Sequence, residues 1–126
     1  MIGAYFLGHP WGSNDMVDIM IPEGAVENPL VAYLNSEHLI FKEEIYEFKK
    51  PTITGEAEIL LQLDPHKNSF AKSKRPDEKN RPISWTKHHE EGRVFYSSLG
   101  HNNDLYFNSK VLQHYLNGIQ WATGDL

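Results

Sequence analysis

The stretch "EAEILLQLD", residues 56–64, limits this chain's folding more than any other. Its apolar centre is continuous, without the alternation of a half-solvated strand, so it reads as a strand covered on both faces. Such a strand obliges the chain to supply a layer on either side of its sheet. Only one long stretch has helical spacing. Val111, Leu112, Tyr115, Leu116, Ile119 and Ala122 form one apolar stripe from about Ser109 to Thr123. Asn108 or Ser109 can cap its start, and Gly124 stands where a C′ glycine would end it. "NPLVAYLN" (28–35) adds at most a single turn, with Pro29 at its first position. One long helix cannot cover two faces. The chain is therefore either a small α+β domain or part of a larger α/β domain.

The other strands are shorter arguments. "IGAYFL" (2–7) runs into a turn at "GHPWGSND", and "MVDIMI" (16–21) alternates before Pro22 and Gly24. "HLIFKEEIYEF" (38–48) has period two throughout and reads as one strand. Ile40, Lys42, Glu44, Tyr46 and Phe48 lie on one face, and Leu39, Phe41, Glu43, Ile45 and Glu47 on the other. "PISWTKHH" and "GRVFYSSL" form a hairpin across "EEG". The 126 residues fit one domain, 1–126, and no repeat is visible.

Composition excludes several functions. Without cysteine there is no disulfide, thiolate metal site or cysteine nucleophile, which fits a reducing compartment. A net charge of −5 argues against nucleic acid as a main partner. Six of the twelve Lys and Arg fall in residues 65–82 with only two acids, which reads as a long solvated loop. No apolar run approaches the roughly 18 residues of a membrane span, and the N-terminus lacks the features of a signal peptide. The expectation is a soluble, cytoplasmic protein.

Three residues stand where chemistry would. His101 follows Gly100 at the end of a strand, a place suited to a general base or a metal ligand; the plain alternative is a loop histidine bonded to backbone. Glu43 and Glu44 are adjacent on a strand, so they diverge, one facing inward. Glu44 lies on the face of Tyr46, as proton donor or ligand, unless both acids are simply solvated. His9, in "GHPW", is a second strand-end histidine. His9, Glu44 and His101 can converge as a nitrogen–oxygen set that zinc accepts, although their spacing is no zinc signature. His88 and His89 diverge, and His38, His66 and His114 carry no supporting context. There is no glycine-rich phosphate loop, nucleophile elbow or His-Glu-x-x-His helix.

At "RPISWTKHHEEGRVFYSSLGHNNDLYFNSKVLQHYLNGIQWATGD" the chain resembles the ThuA-like (trehalose-utilisation) family. The match is Pro82 and Trp85, then Gly92 to Tyr96, Leu99-Gly100-His101, and Gly118-Ile119, Trp121 and Ala122. Upstream, "GAYFLGHPW" is similar to the family's Gly-x-x-Phe-x-x-His-Pro and "EEIYEF" to its Asp-Glu-x-Tyr, with Glu43 in place of the Asp.

This resemblance implies a flavodoxin-like α/β fold of the class I glutamine amidotransferase type, without a working amidotransferase triad. It implies that the chain corresponds to the C-terminal half of a longer domain, whose N-terminal βα units and Gly-x-His motif have no counterpart here. An exposed sheet edge should then favour association. Its functional implication is processing of trehalose-type disaccharides or their 3-keto derivatives. His101 and Glu44 are then the expected catalytic pair, with His9, Tyr46 and Asn102 binding substrate. A divalent metal such as zinc is compatible with the set. The other reading is a domain that binds carbohydrate or a partner without turnover, using Trp11, Tyr46, Trp85 and Tyr106.

Overall fold

The structure is a computed structural model that describes residues 1–50 and 53–126. Seven strands and one long helix follow in the order β1 (Phe6–Trp11), β2 (Met16–Met20), β3 (Leu39–Lys42), β4 (Ile45–Phe48), β5 (Glu58–Leu63), β6 (Pro82–His89), β7 (Gly92–Ser97) and α1 (Ser109–Thr123). Short 3₁₀ turns interrupt the connections at Glu23–Ala25, Ala32–Leu34 and Asn103–Phe107. Five strands form one sheet in the order β3-β2-β5-β6-β7, and β1 and β4 form a separate two-stranded ribbon. Every described pairing is antiparallel. The architecture is strand-rich α/β with a C-terminal helix.

β5 sits at the sheet centre, and Leu60, Leu61 and Leu63 are fully buried. Its two covers come from different elements. On one face, α1 packs against β7, with Phe95 edge-on to His114 and His114 Nε2 within 2.9 Å of Ser84 Oγ. On the other, Phe48 of the ribbon meets Trp85 edge-on at 5.5 Å, and Trp85 lies 4.2 Å from Tyr96. The ribbon thus supplies the layer that a single helix cannot. Trp85 and Trp11 are buried core residues, their indole N–H groups donating to the Ile2 and Ser69 carbonyls.

Three sequence expectations are corrected. The segment 38–48 is two strands in two sheets, because the chain turns out of the large sheet at Glu43-Glu44 while keeping its alternation of faces. β1 includes "GHPW", so His9 lies within a strand; register shifts on either side of Gly8 accommodate Pro10. The third is the face of α1. Its ends are as expected, Asn108 accepting from the Lys110 and Val111 amides and Gly124 left-handed at φ 88°. Yet it buries Val111, His114, Asn117 and Gly118 and exposes Leu112, Leu116 and Ile119. Polar residues go inward because each is satisfied: Asn117 Nδ2 donates to the Leu30 carbonyl and His114 reaches Ser84. Gly118 brings the helix onto the sheet, since a Cβ there would lie 2.4 Å from the Phe95 ring.

The basic segment before β6 is held against the fold rather than solvated throughout. Phe70 packs edge-on to Trp11, and Arg81, almost wholly buried, meets Glu47 at 3.3 Å. The Arg81 guanidinium also donates to Ser73 Oγ and the Arg75 carbonyl. Burial lowers its pKa, and Glu47 opposes that shift. No helix among the described residues is long and apolar enough to cross a membrane.

Candidate functional site

The strand 92–97 ends on a loop whose shape is set by a carboxylate from elsewhere. Glu43, with no exposed surface, accepts three consecutive backbone N–H groups: Gly100 at 2.7 Å and His101 at 2.6 Å on Oε1, Asn102 at 2.9 Å on Oε2. Charge-assisted bonds of this kind are among the stronger ones in proteins. Gly100 is required twice over. Its φ is 114°, and a Cβ there would stand 2.6 Å from Tyr106 Oη. Tyr106 donates to the Gly100 carbonyl and Tyr115 to the Leu99 carbonyl. Burial first, then the neighbouring Tyr106 and Glu43, pushes the Tyr115 phenol up to about 12, so it stays protonated near neutrality.

This loop presents His101 to Glu44. His101 Nδ1 lies 3.7 Å from Glu44 Oε1, and His9 Nδ1 from β1 lies 3.5 Å from Glu44 Oε2. One carboxylate thus faces two imidazoles through its two oxygens. Both histidine side chains are about half exposed, at 54% for His9 and 48% for His101, while that of Glu44 is 14% exposed. The residues singled out at 9, 44 and 101 do meet. Among the described residues, these three are not a group whose ligand-type atoms all lie within 4.8 Å of one another.

Of the other sequence candidates, Tyr46 flanks the site, edge-on to Phe6 at 5.1 Å, and Phe6 stacks loosely on His9. The Asn102 side chain donates to the Ser13 and Lys42 carbonyls at 2.8 Å each, tying the loop to the β1–β2 turn and to the end of β3. A groove of about 320 Å³ opens beside His9, with Phe6, Pro10, Lys72 and Lys74 in its walls. A larger groove, about 700 Å³, lies elsewhere, lined by the exposed Glu56, Glu58 and His88 together with the part-buried Trp121.

A second histidine–carboxylate cluster was not singled out from the sequence. His38 Nδ1 is hydrogen-bonded to Asp18 Oδ1 and lies 3.8 Å from Asp64 Oδ2. A signal for it exists in the strand register. Ile19 pairs with Leu39 on one side and Leu63 on the other, which brings residues 18, 38 and 64 together at one sheet end.

Taken together, the antiparallel sheet, the covering ribbon and the Gly-His loop held by a buried glutamate define a small α/β domain with a polar strand-end site. The family model for ThuA, described as trehalose utilisation, matches residues 1–122, and the chain belongs to that family. That membership gives the domain a carbohydrate-related role. No curated protein and no solved structure matches the chain.

Proposed function

We propose that His9, Glu44 and His101 are the acid–base centre of a cytoplasmic domain that processes trehalose-type disaccharides or their 3-keto derivatives. The observation that carries this reading is the sharing of one Glu44 carboxylate by two half-exposed imidazoles from separate elements. A carboxylate within ion-pair distance of both Nδ1 atoms can draw in either ring, which makes Nε2 the nitrogen to offer to substrate. In a 3-keto-glycoside the hydrogen on C2 is acidified by the ketone. His101 as base takes that proton, the C–H electron pair forms the C1–C2 double bond, and the C1–O bond breaks. The partner acid, Glu44 or the His9 imidazolium it holds, protonates the departing oxygen. The products are a free sugar and an unsaturated keto-sugar, with no net oxidation.

The flavodoxin-like, amidotransferase-type fold that the family resemblance implies belongs to this proposal too. So does self-association, through the edge strands β3 and β7 or the exposed ridge of Leu112, Leu116 and Ile119. The direct test is turnover of 3-keto-trehalose. His101→Ala should lower kcat by about 10²–10⁴-fold, and an unchanged rate would rule out His101 as the base.

A second reading is carbohydrate binding without turnover. The exposed Phe6 ring, beside His9 at the groove, favours it as a surface on which a sugar face can stack. Calorimetric affinity for the disaccharide with no product by chromatography would select this reading.

A further inference from the structure

We propose that Asp18, His38 and Asp64 form a divalent-cation site, suited to zinc or manganese, that ties β2, the start of β3 and the end of β5 together. Among the described residues they are the one group of three whose ligand-type atoms all lie within 4.8 Å of one another. Imidazole nitrogen with carboxylate oxygen is a donor set that zinc and manganese both accept.

The second observation is charge that is left over. The Asp18 and Asp64 side chains are 11% and 9% exposed, and no Lys or Arg pairs with either among the described residues. His38 is their sole ionic partner, and it can carry at most one positive charge. Asp64 Oδ1 accepts the His66 amide at 2.7 Å, while Oδ2 stands 3.8 Å from His38 Nδ1, within ion-pair distance of the ring that Asp18 also holds.

The surroundings are built to hold the aspartates still. Asn68 Nδ2 donates to the Asp18 and Asp64 carbonyls, its Oδ1 accepts the Asp18 amide, and the Asp64 amide donates to the Asp18 carbonyl. The alternative is that His38 by itself balances the two aspartates, with no metal bound.

The two are separated by zinc titration of the 126-residue chain, with manganese as a parallel probe. One equivalent should bind, and the Tm should rise by about 10 °C when zinc is at one hundred times Kd. Asp64→Asn and His38→Gln should each weaken binding by at least about 100-fold, while Glu44→Gln should leave it unchanged. Absence of binding by either metal, undiminished binding in Asp64→Asn, or loss of binding in Glu44→Gln would overturn the proposal. Should the cluster variants fail to fold, the wild-type chain decides. The ring-nitrogen NMR signals of His38 should move with the first equivalent of zinc; movement of His9 and His101 instead would refute the assignment.

Discussion

At one site a single carboxylate, Glu44, is shared by two half-exposed histidines; at the other a single histidine, His38, is shared by two nearly buried aspartates. The residue types are the same and the proportions are reversed. With two imidazoles per carboxylate, one ring can be charged while the other stays neutral, which is what paired acid and base catalysis requires. With two carboxylates per imidazole, negative charge is left over in a poorly solvated place and calls for a cation. Exposure follows the same division. His9 stands beside an open groove and the His101 side chain is about half exposed, whereas Asp18 and Asp64 are buried. On the proposed assignments, stoichiometry and burial, rather than the presence of histidine, separate a site for turnover from a site for anchorage.

The sharpest test of that division is a pair of alanine substitutions read two ways. His101→Ala should lower keto-disaccharide turnover by about 10²–10⁴-fold and leave the urea midpoint nearly unchanged, because its side chain is half exposed. His38→Ala should do the reverse. Turnover should stay within a few-fold, while stability falls by about 2 kcal/mol as two aspartates lose their one ionic partner among the described residues. If both variants lost turnover and kept stability, the two clusters would be one functional unit and the comparison would fail.

Glu43 tests whether the first site is rigid by construction. Glu43→Gln places an amide against three backbone N–H donors that now share a carboxylate. Losing those charge-assisted bonds in a buried place should cost about 4 kcal/mol in urea unfolding. Turnover should fall as well, since His101 would no longer be presented to Glu44. Glu43→Asp, the residue that the family resemblance leads one to expect there, should recover part of both. A Glu43→Gln variant as stable as the parent would mean that the loop is held by Tyr106, Tyr115 and Asn102 instead.

These features were unequally legible in the sequence. Helix α1 was readable to its ends because Asn108 and Gly124 act locally. Its buried face was not, because an apolar stripe predicts burial only where the neighbours offer nothing better. Here Ser84 and the Leu30 carbonyl satisfy polar side chains, and Gly118 lets Phe95 approach. The meeting of His9, Glu44 and His101 was legible from strand ends, although His9 came from inside a strand. The division of labour between Glu43 and Glu44 was only half legible. Period two put one acid inward, but which backbone it would hold depended on a contact across about sixty residues. His38 was silent because its partners come from β2 and the end of β5, and only the register at Ile19 brings them together.

Acid titration sharpens the comparison only if a third histidine is taken into account. Burial pushes the His114 imidazole down to about 4; the Leu30 carbonyl, too poorly placed for a full hydrogen bond to Nδ1, offsets only part of that. Above pH 6.5 both the folded and the unfolded chain carry a neutral ring, and nothing is lost. Between about 6.5 and 4 the unfolded chain takes up a proton that the native state excludes, so stability falls as the pH falls. The whole effect is about 3 kcal/mol and is complete below about pH 4. Urea midpoints across this window should show the decline in the parent chain and a flatter curve in His114→Gln, itself less stable near neutrality. An unchanged slope in His114→Gln would assign the acid sensitivity to the two carboxylate clusters.

The smallest expected effect comes from the residue next to His38. Glu37 is ion-paired with Lys110 of α1, and the Lys110 hydrogen bond first, then its charge, lowers the Glu37 carboxyl pKa. Glu37 is also a carboxylate beside this histidine in the chain, and by position alone it resembles a fourth member of the Asp18–His38–Asp64 cluster. It differs in the one property that matters: it is open to solvent, where screening and side-chain entropy cancel most of the attraction. Glu37→Gln should therefore give a urea midpoint and a zinc affinity indistinguishable from the parent chain, at both low and moderate salt. A clear loss of zinc affinity would enlarge the cation site to include Glu37. A clear loss of stability would show that α1 depends on its N-terminal tether to the β3 end, and burial would no longer suffice to tell anchoring carboxylates from ornamental ones.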